Sequence, residues 1–310
     1  MKNVFIVILN WNRAQDTLDC LKSIKKLLIT DFRLSIIVVD NASTDDSVRL
    51  IKEFINLPRI TNFRFELIVN NSNLGYAGGN NIGIKYALER EADYVMVLNN
   101  DTLLDSDLMN QFIKSSKNYP GAGILSPKIY FAKGFEFHKS RYKSEDLGKV
   151  VWYAGGEIDW DNVYATNFGV DEVDRGRFES DREIDFATGT CMFLSARAVK
   201  QVGMFDERYF MYLEDADLSQ RMKRAGWKVL YTPGAKLWHK IAQSSAVGSE
   251  LNDYFITRNR LLFGMCYAPL RAKVAIVRES VKFILKRREW YRKGAIDFYL
   301  RRFGKGSWQN

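Results

Sequence analysis

Residues 3–9 and 34–40 are unbroken aliphatic runs, the pattern of strands covered on both faces of a parallel sheet. Between them, Leu18, Leu21, Ile24 and Leu28 recur at helical spacing within a segment spanning 13–29. The alternation continues, with strands expected at 63–69, 93–98 and 122–126 and helices at 44–56, 77–90 and 105–118. This order predicts a doubly wound, mostly parallel α/β sheet whose ligand contacts gather where strand carboxyl ends meet. Residues 130–183 lose the periodicity and are rich in aromatics, glycine and charge, as in a loop-rich insertion. Order returns with a strand pair near 184–195, a helix at 213–225, strands at 227–231 and 235–239, and helices at 250–264 and 272–302. In the last of these, Val274, Val277, Val281, Ile284 and Leu285 form an apolar stripe flanked by basic residues.

Several polar clusters interrupt this pattern at strand ends. The strand at 93–98 stops abruptly in Asn99–Asn100–Asp101. Two amides and a carboxylate there suit Mg²⁺ or Mn²⁺ carrying a diphosphate, whereas a turn with helix caps is the plainer reading. Asp40 ends the second strand, and Ser43 with Asp46 has capping-box spacing. Capping leaves Asp40 unexplained, and its carboxylate could accept from a nucleobase N–H or a ribose hydroxyl. The loop Asn73–Leu74–Gly75–Tyr76–Ala77–Gly78–Gly79 joins a strand to a helix and permits either phosphate approach or close helix packing. It lacks the glycine order of dinucleotide-binding folds.

Glu214, Asp215 and Asp217 open a helix after the aromatic run Tyr209–Phe210–Met211–Tyr212. Acids at a helix start gain from the dipole, but beside four large apolar residues one of them is expected in a semi-buried cleft with a raised pKa. Asp217 could instead pair with Arg221 one turn on. His239 closes a strand, where a structural hydrogen-bonding role is the common one. Arg258 and Asn259 fall on a helix, as an exposed polar face or, for Arg258, a diphosphate clamp.

Charge sharpens the picture. Residues 271–310 carry 12 Lys/Arg against 3 Asp/Glu, which accounts for the whole formal net charge of +9. A neutral remainder argues against a nucleic-acid-binding face on the main domain. The basic, apolar-striped tail points to an anionic membrane surface, with a packing or oligomerisation helix as the competing reading. Cys20, Cys191 and Cys266 share no metal or disulfide spacing and read as small buried packing residues of a reducing cytoplasm. No apolar run approaches a membrane span, and the first residues lack a signal-peptide layout.

In this order the segments VILNWN (7–12), VVDNASTDDS (38–47), NLGYAGGNNIG (73–83), VLNNDT (97–102), ATGTCMFLSARAV (187–199), GMFDERYFMYLEDADLSQRMKRAGW (203–227) and WH (238–239) resemble the family 2 glycosyltransferases, and most closely the bacterial rhamnosyltransferase-like branch that builds surface polysaccharides. The resemblance implies a GT-A fold over 1–265, with a nucleotide-binding half at 1–129, the insertion at 130–183 and an acceptor and catalytic half at 184–265, followed by the basic helical tail at 266–310. It implies donor binding by Asn10, Asp40, Asn73, Gly75, Asn99, Asn100 and Asp101, with Asp40 on the base. Asp101 and His239 would ligate Mn²⁺ or Mg²⁺. Asp215 would be the catalytic base of an inverting single displacement, with Glu214, Asp217 and Arg258 on the acceptor side or in support. The usual acidic triplet is here Asn99–Asn100–Asp101, so metal binding is expected to lean on the diphosphate. dTDP-rhamnose fits the branch as donor, and a UDP-hexose could use the same pocket. The expected acceptor is a glycan, lipid-linked at the cytoplasmic face of the membrane, and a homo-oligomer is compatible with the tail. A sugar nucleotidyltransferase would need a basic Gly-rich loop where Asn10–Trp11–Asn12–Arg13 stands. A non-catalytic sugar-binding scaffold would have no use for Asp101, Asp215 and His239 together.

Overall fold

A computed structural model describes residues 1–56, 63–241, 249–286 and 288–308, so residue 287 and residues 309–310 of the tail lie outside the described residues. The aliphatic runs form β1 (Lys2–Asn10) and β2 (Phe32–Asp40), joined by α1 (Ala14–Ile24). Then come α2 (Ser47–Ile55), β3 (Arg64–Val69), α3 (Gly75–Glu89) and β4 (Tyr94–Asn99). β1 runs parallel to both β2 and β4, with Asn10 opposite Asp40 and Leu9 opposite Asn99. The polar residues that end these three strands are therefore brought to one edge. Ile6, Val7, Ile8, Val38 and Val39 are wholly buried, as strands covered on both faces require.

α1 ends at Ile24 instead of running to residue 29. Tight turns carry Leu27 inward, and Leu28 is exposed. α3 lies close on β1 because its glycines lack side chains. A Cβ on Gly79 would stand 2.4 Å from Leu9 Cδ1, and one on Gly83 2.3 Å from Val7 Cγ1.

β5 (Thr102–Leu104), α4 (Leu108–Asn118) and β6 (Ala122–Phe131) follow. The stretch expected to be loop-rich contains β7 (Val151–Tyr153), which pairs with β6, and the hairpin β8 (Gly156–Asp159) and β9 (Tyr164–Asn167). The expected strand pair near 184–195 is not a pair. β10 (Arg182–Glu183) joins a later strand, and β11 (Cys191–Ser195) wedges antiparallel between β4 and β6. After α5 (Ala196–Val202) and α6 (Glu214–Arg224), the two expected strands form one, β12 (Lys228–His239). Its register against β6 slips between Thr232 and Lys236, a bulge that interrupts the apolar pattern. The sheet order is β10-β12-β6-β11-β4-β1-β2-β3, and β5 crosses over to pair with β12, setting Thr102 opposite His239.

α7 (Glu250–Tyr267), α8 (Leu270–Lys286) and α9 (Glu289–Tyr299) complete the described chain, so the single helix expected at 272–302 is two. α8 turns Ala272, Ile276 and Ser280 inward. The stripe residues Val274, Val281 and Leu285 are instead 42%, 46% and 72% exposed, with Leu270 at 78% on the same face. Among the described residues no helix is long and apolar enough to cross a membrane. Cys20 and Cys191 are buried, but Cys266, at the end of α7, is exposed.

The α3–β1 contact yields a test in which two effects oppose. Alanine inside a helix normally gains about 1 kcal/mol over glycine. Gly83→Ala should nevertheless lose about 1–3 kcal/mol, since its methyl would overlap Val7 in a filled core. Urea unfolding reads the difference, and a midpoint at or above wild type would contradict the packing.

Candidate active site

Asn10 and Asp40, expected to touch the donor, are both fully buried and do not line the cleft. Asn10 Nδ2 donates to Asp40 Oδ2 at 2.8 Å, and Asn10 Oδ1 accepts from Thr17 Oγ1 at 2.7 Å. Asn100 Nδ2 donates to the same Thr17 hydroxyl at 2.9 Å. Asp40 also accepts from Ser43 Oγ at 2.6 Å and Ser43 N at 2.9 Å. The expected capping box is therefore absent. Ser43 serves Asp40, while α2 starts at Ser47, whose N–H reaches Asp45 Oδ1 at 3.0 Å. Asp40 is fully buried beneath the cleft wall, and its neighbour Asn41 lines the cleft.

Asn41, which follows Asp40 and was not among the expected site residues, binds the neighbouring loop. Its Nδ2 donates to Asn73 Oδ1 at 2.9 Å and Gly75 O at 3.0 Å, and its Oδ1 accepts from Leu74 N at 3.0 Å. Asn73 Oδ1 also accepts from Gly75 N at 2.8 Å. Gly75 has a left-handed φ of +72°, and a Cβ there would stand 2.5 Å from Phe210. Asn73, Gly75, Asn99, Asn100 and Asp101 share one cleft wall. Facing them are Phe210 and Met211 and, from beyond α9, Lys305 and Trp308.

Phe210, Tyr212 and Leu213 all have φ between 64° and 69°, strain of the order of 1–3 kcal/mol each that surrounding bonds must hold. Arg258 and Asn259 hold it. Asn259 Nδ2 donates to the carbonyls of Tyr209, Met211 and Tyr212 at 2.7–2.9 Å. Arg258 Nη2 donates to Arg208 O at 3.1 Å and Tyr209 O at 2.9 Å, and Nη1 to Gly304 O at 2.6 Å. Both side chains are fully buried. Neither reading of Arg258 survives: it is not on an exposed face, and its N–H groups are engaged by main chain, leaving no fork for a diphosphate.

Asp101 follows β4 and meets His239 through the β5–β12 pairing, with His239 Nε2 3.0 Å from Asp101 Oδ1. The imidazole packs edge-on against Trp152, and its Nδ1 is buried without a hydrogen-bond partner among the described residues. Ligands on adjacent corners of an octahedral shell with bonds near 2.1 Å stand about 3 Å apart, so this pair fits one edge of a Mg²⁺ or Mn²⁺ shell. No group of three or more His, Cys, Asp or Glu among the described residues could hold an ion unaided. The set suits an ion that arrives with phosphate oxygens.

The three acids of α6 separate into different environments. Asp217 is saturated, accepting from Arg221 Nε at 2.7 Å and Tyr267 Oη at 2.7 Å, so it holds the helix in place. Glu214 is buried with Oε2 unpartnered. Burial, aided by the charge on Asp215, pushes its carboxyl well above the usual range and so favours the protonated form. Burial also raises Asp215, but N–H groups of Gly189 (2.8 Å) and Ala216 (2.7 Å) oppose the shift. Asp215 is half-buried behind the cleft wall. Tyr76, on that wall, donates its hydroxyl to the carbonyl of Gly189, whose N–H reaches Asp215. The two neighbouring carboxyls thus differ in their surroundings: Asp215 accepts two backbone N–H groups, and one oxygen of Glu214 accepts none among the described residues.

A cleft lined by amides and one carboxylate at the ends of parallel strands is where an open α/β sheet takes its ligand. The chain matches the family described as Glycosyl transferase family 2 over residues 5–203, and that described as Glycosyl transferase family group 2 over 164–303. It belongs to the family 2 glycosyltransferases, on the rhamnosyltransferase-like branch. The N-acetylglucosaminyl-diphospho-decaprenol L-rhamnosyltransferase of Mycobacterium tuberculosis is 29% identical over 226 residues, 70% of each chain. The rhamnosyltransferase WbbL of Escherichia coli is 24% identical over 173 residues, 53% of this chain and 60% of that one. The crystal structure of GalNAc-T7 with UDP, GalNAc and Mn²⁺ shares the GT-A fold, with a TM-score of 0.64 at 15% identity over 92% of this chain and 56% of the other.

A carboxyl raised above the ordinary glutamate value of 4.5 weakens the folded state as pH climbs past that value. Glu214→Gln cannot ionise, so it should raise the melting temperature at pH 7.5, with a gain that shrinks towards pH 4. A pH-independent difference in melting scans would rule out the buried, protonated carboxyl.

Proposed function

We propose that this enzyme transfers a hexosyl group from a nucleoside-diphosphate sugar to a lipid-linked glycan with inversion, and that dTDP-rhamnose is the donor. The observation that carries the reading is the Asn99–Asp101 turn, flanked by His239 on one side and by Tyr76, Gly189 and Asp215 on the other. The acceptor hydroxyl attacks the anomeric carbon as the bond to the diphosphate oxygen breaks. Asp215 takes the hydroxyl proton, and burial of Glu214 disfavours a second negative charge beside it. Asn73, Asn99 and Asn100 orient the nucleotide through neutral amides, and the buried Asn10–Asp40–Ser43 group supports the wall behind them. A divalent ion held by Asp101 and His239 would offset the charge gathering on the departing diphosphate. The decaprenol-linked substrate named for the mycobacterial relative supports a polyprenyl-diphosphate glycan acceptor. A UDP-hexose in the same cleft is the second reading, favoured by the UDP of the structural neighbour.

Melting scans with dTDP, UDP and GDP, each with and without Mn²⁺, test the donor site. One nucleotide should stabilise in a metal-dependent manner, and Asp101→Ala should erase that dependence. Asp215→Asn should keep the nucleotide response while transfer to polyprenyl-diphosphate N-acetylglucosamine falls by about 10²–10⁴-fold. A flat nucleotide panel contradicts the donor site, and unimpaired turnover contradicts the base.

The exposed face of α8 supports a peripheral membrane position on the cytoplasmic side. Leu270, Val274, Val281 and Leu285 project beside Arg271, Lys273, Arg278 and Lys282, an apolar strip rimmed by cations suited to anionic lipid. Flotation with phosphatidylglycerol vesicles should carry the wild type upward, and the double variant Val281→Glu/Leu285→Glu should stay below. Equal flotation would reject the face, and dimerisation abolished by the same variant would assign it to a second copy instead.

A further inference from the structure

The proposed mechanism leaves one group in the cleft unused. Among the described residues lining the cleft, Lys305 is the one cation and Asp101 the one carboxylate. Lys305 forms no ion pair with any described residue. It is nevertheless not on a loose strand. Beyond α9 the chain bends through Gly304 and Gly306, with left-handed φ of +64° and +56°. A Cβ on Gly306 would fall 2.2 Å from Tyr254 Oη and 2.9 Å from Arg258 Nη1, so only glycine lets the turn seat this deeply.

Buried groups tie the turn down on both sides of Lys305. Arg258 donates to Gly304 O at 2.6 Å, and Gly304 N donates to Arg208 O at 2.9 Å. Ser307 N donates to Asp297 Oδ2 at 2.8 Å and Ser307 Oγ to Asp297 Oδ1 at 3.0 Å. Arg258 and Asp297 are 0% and 1% exposed. Trp308 then packs its ring 4.6 Å from that of Trp290. This clasp is rigid at its roots, and it presents an uncommitted ammonium to the cleft that also carries Asp101.

The charge balance says what that ammonium would meet. A nucleoside diphosphate gains negative charge as its bond to the sugar breaks, and the Asn99–Asn100–Asp101 turn with His239 offers few groups to offset it. We infer that Lys305 binds the diphosphate of the donor directly, as a second cationic contact beside the ion edge. This rests on the nucleotide-sugar reading above. Hydrogen bonds to charged groups are the strong ones, so the loss should be large.

Titration calorimetry with dTDP and UDP, in Mn²⁺ and again in EDTA, tests this on the full chain. Lys305→Met should weaken the preferred nucleoside diphosphate by about 10- to 100-fold in both conditions. Lys305→Arg should restore most of that affinity. The matching nucleoside monophosphate should bind Lys305→Met and wild type alike, and melting temperature without nucleotide should not move. If wild type binds and Lys305→Met binds the diphosphate equally well, the inference is overturned and the donor site stands. An equal loss for monophosphate and diphosphate would also overturn it, since the clasp would then act on shape alone. If wild type binds no nucleotide, the donor reading fails and takes this inference with it.

Discussion

Arg258 is a guanidinium held without solvent exposure in the middle of α7, and the rest of the site depends on it. Burial opposes its charge and draws its pKa down, and burying an ion unpaired would cost several kcal/mol. Among the described residues no carboxylate offsets that penalty through a direct hydrogen bond. Main-chain carbonyls of Arg208, Tyr209, Arg302 and Gly304 do so, together with the Asn259 amide oxygen. Those carbonyls belong to the left-handed aromatic turn and to the glycine turn that carries Lys305. The same residue therefore fixes the wall of the cleft, the start of the helix bearing Glu214 and Asp215, and the clasp opposite.

Adjacent acids in different surroundings follow from that fixed start. Glu214 points into apolar surroundings with no donor for one oxygen, whereas Asp215 receives two N–H groups from rigid backbone. Neither difference comes from the side chains themselves. It comes from where a left-handed residue, Leu213, launches the helix.

The parallel core was legible because strands buried on both faces must be aliphatic throughout, and β1 and β2 match their expected spans closely. The Asn99–Asp101 cluster was legible for the opposite reason: polar groups ending such a strand have no packing use. Other features depend on partners far away in the chain. Nothing local distinguishes an Arg258 that caps carbonyls from one that faces water. The apolar residues of α8 are periodic, but small Ala272 and Ser280 sit inward and the larger aliphatics Val274, Val281 and Leu285 outward, so periodicity located the stripe without saying which residues pack against the domain. β11 looked like a hairpin partner because its antiparallel insertion depends on β4 and β6 being a strand's width apart. Asn41 and Lys305 carried no signal, since a turn amide and a tail lysine are each common.

The short β5 has a consequence for how the protein holds together. It leaves the edge of β4, crosses over, and pairs with the last strand of the sheet, so Asp101 and His239 meet across the seam between the early parallel half and the later half. Three residue pairs join β5 to β12 there, while β11 ties β4 to β6 further along the sheet. A ligand touching both sides acts as a strap: at a hundred times its Kd it adds about 2.7 kcal/mol to the joined state. Any local opening that parts β5 from β12 must first release it. Occupancy by such a ligand and integrity of the β5–β12 pairing would thus be one equilibrium.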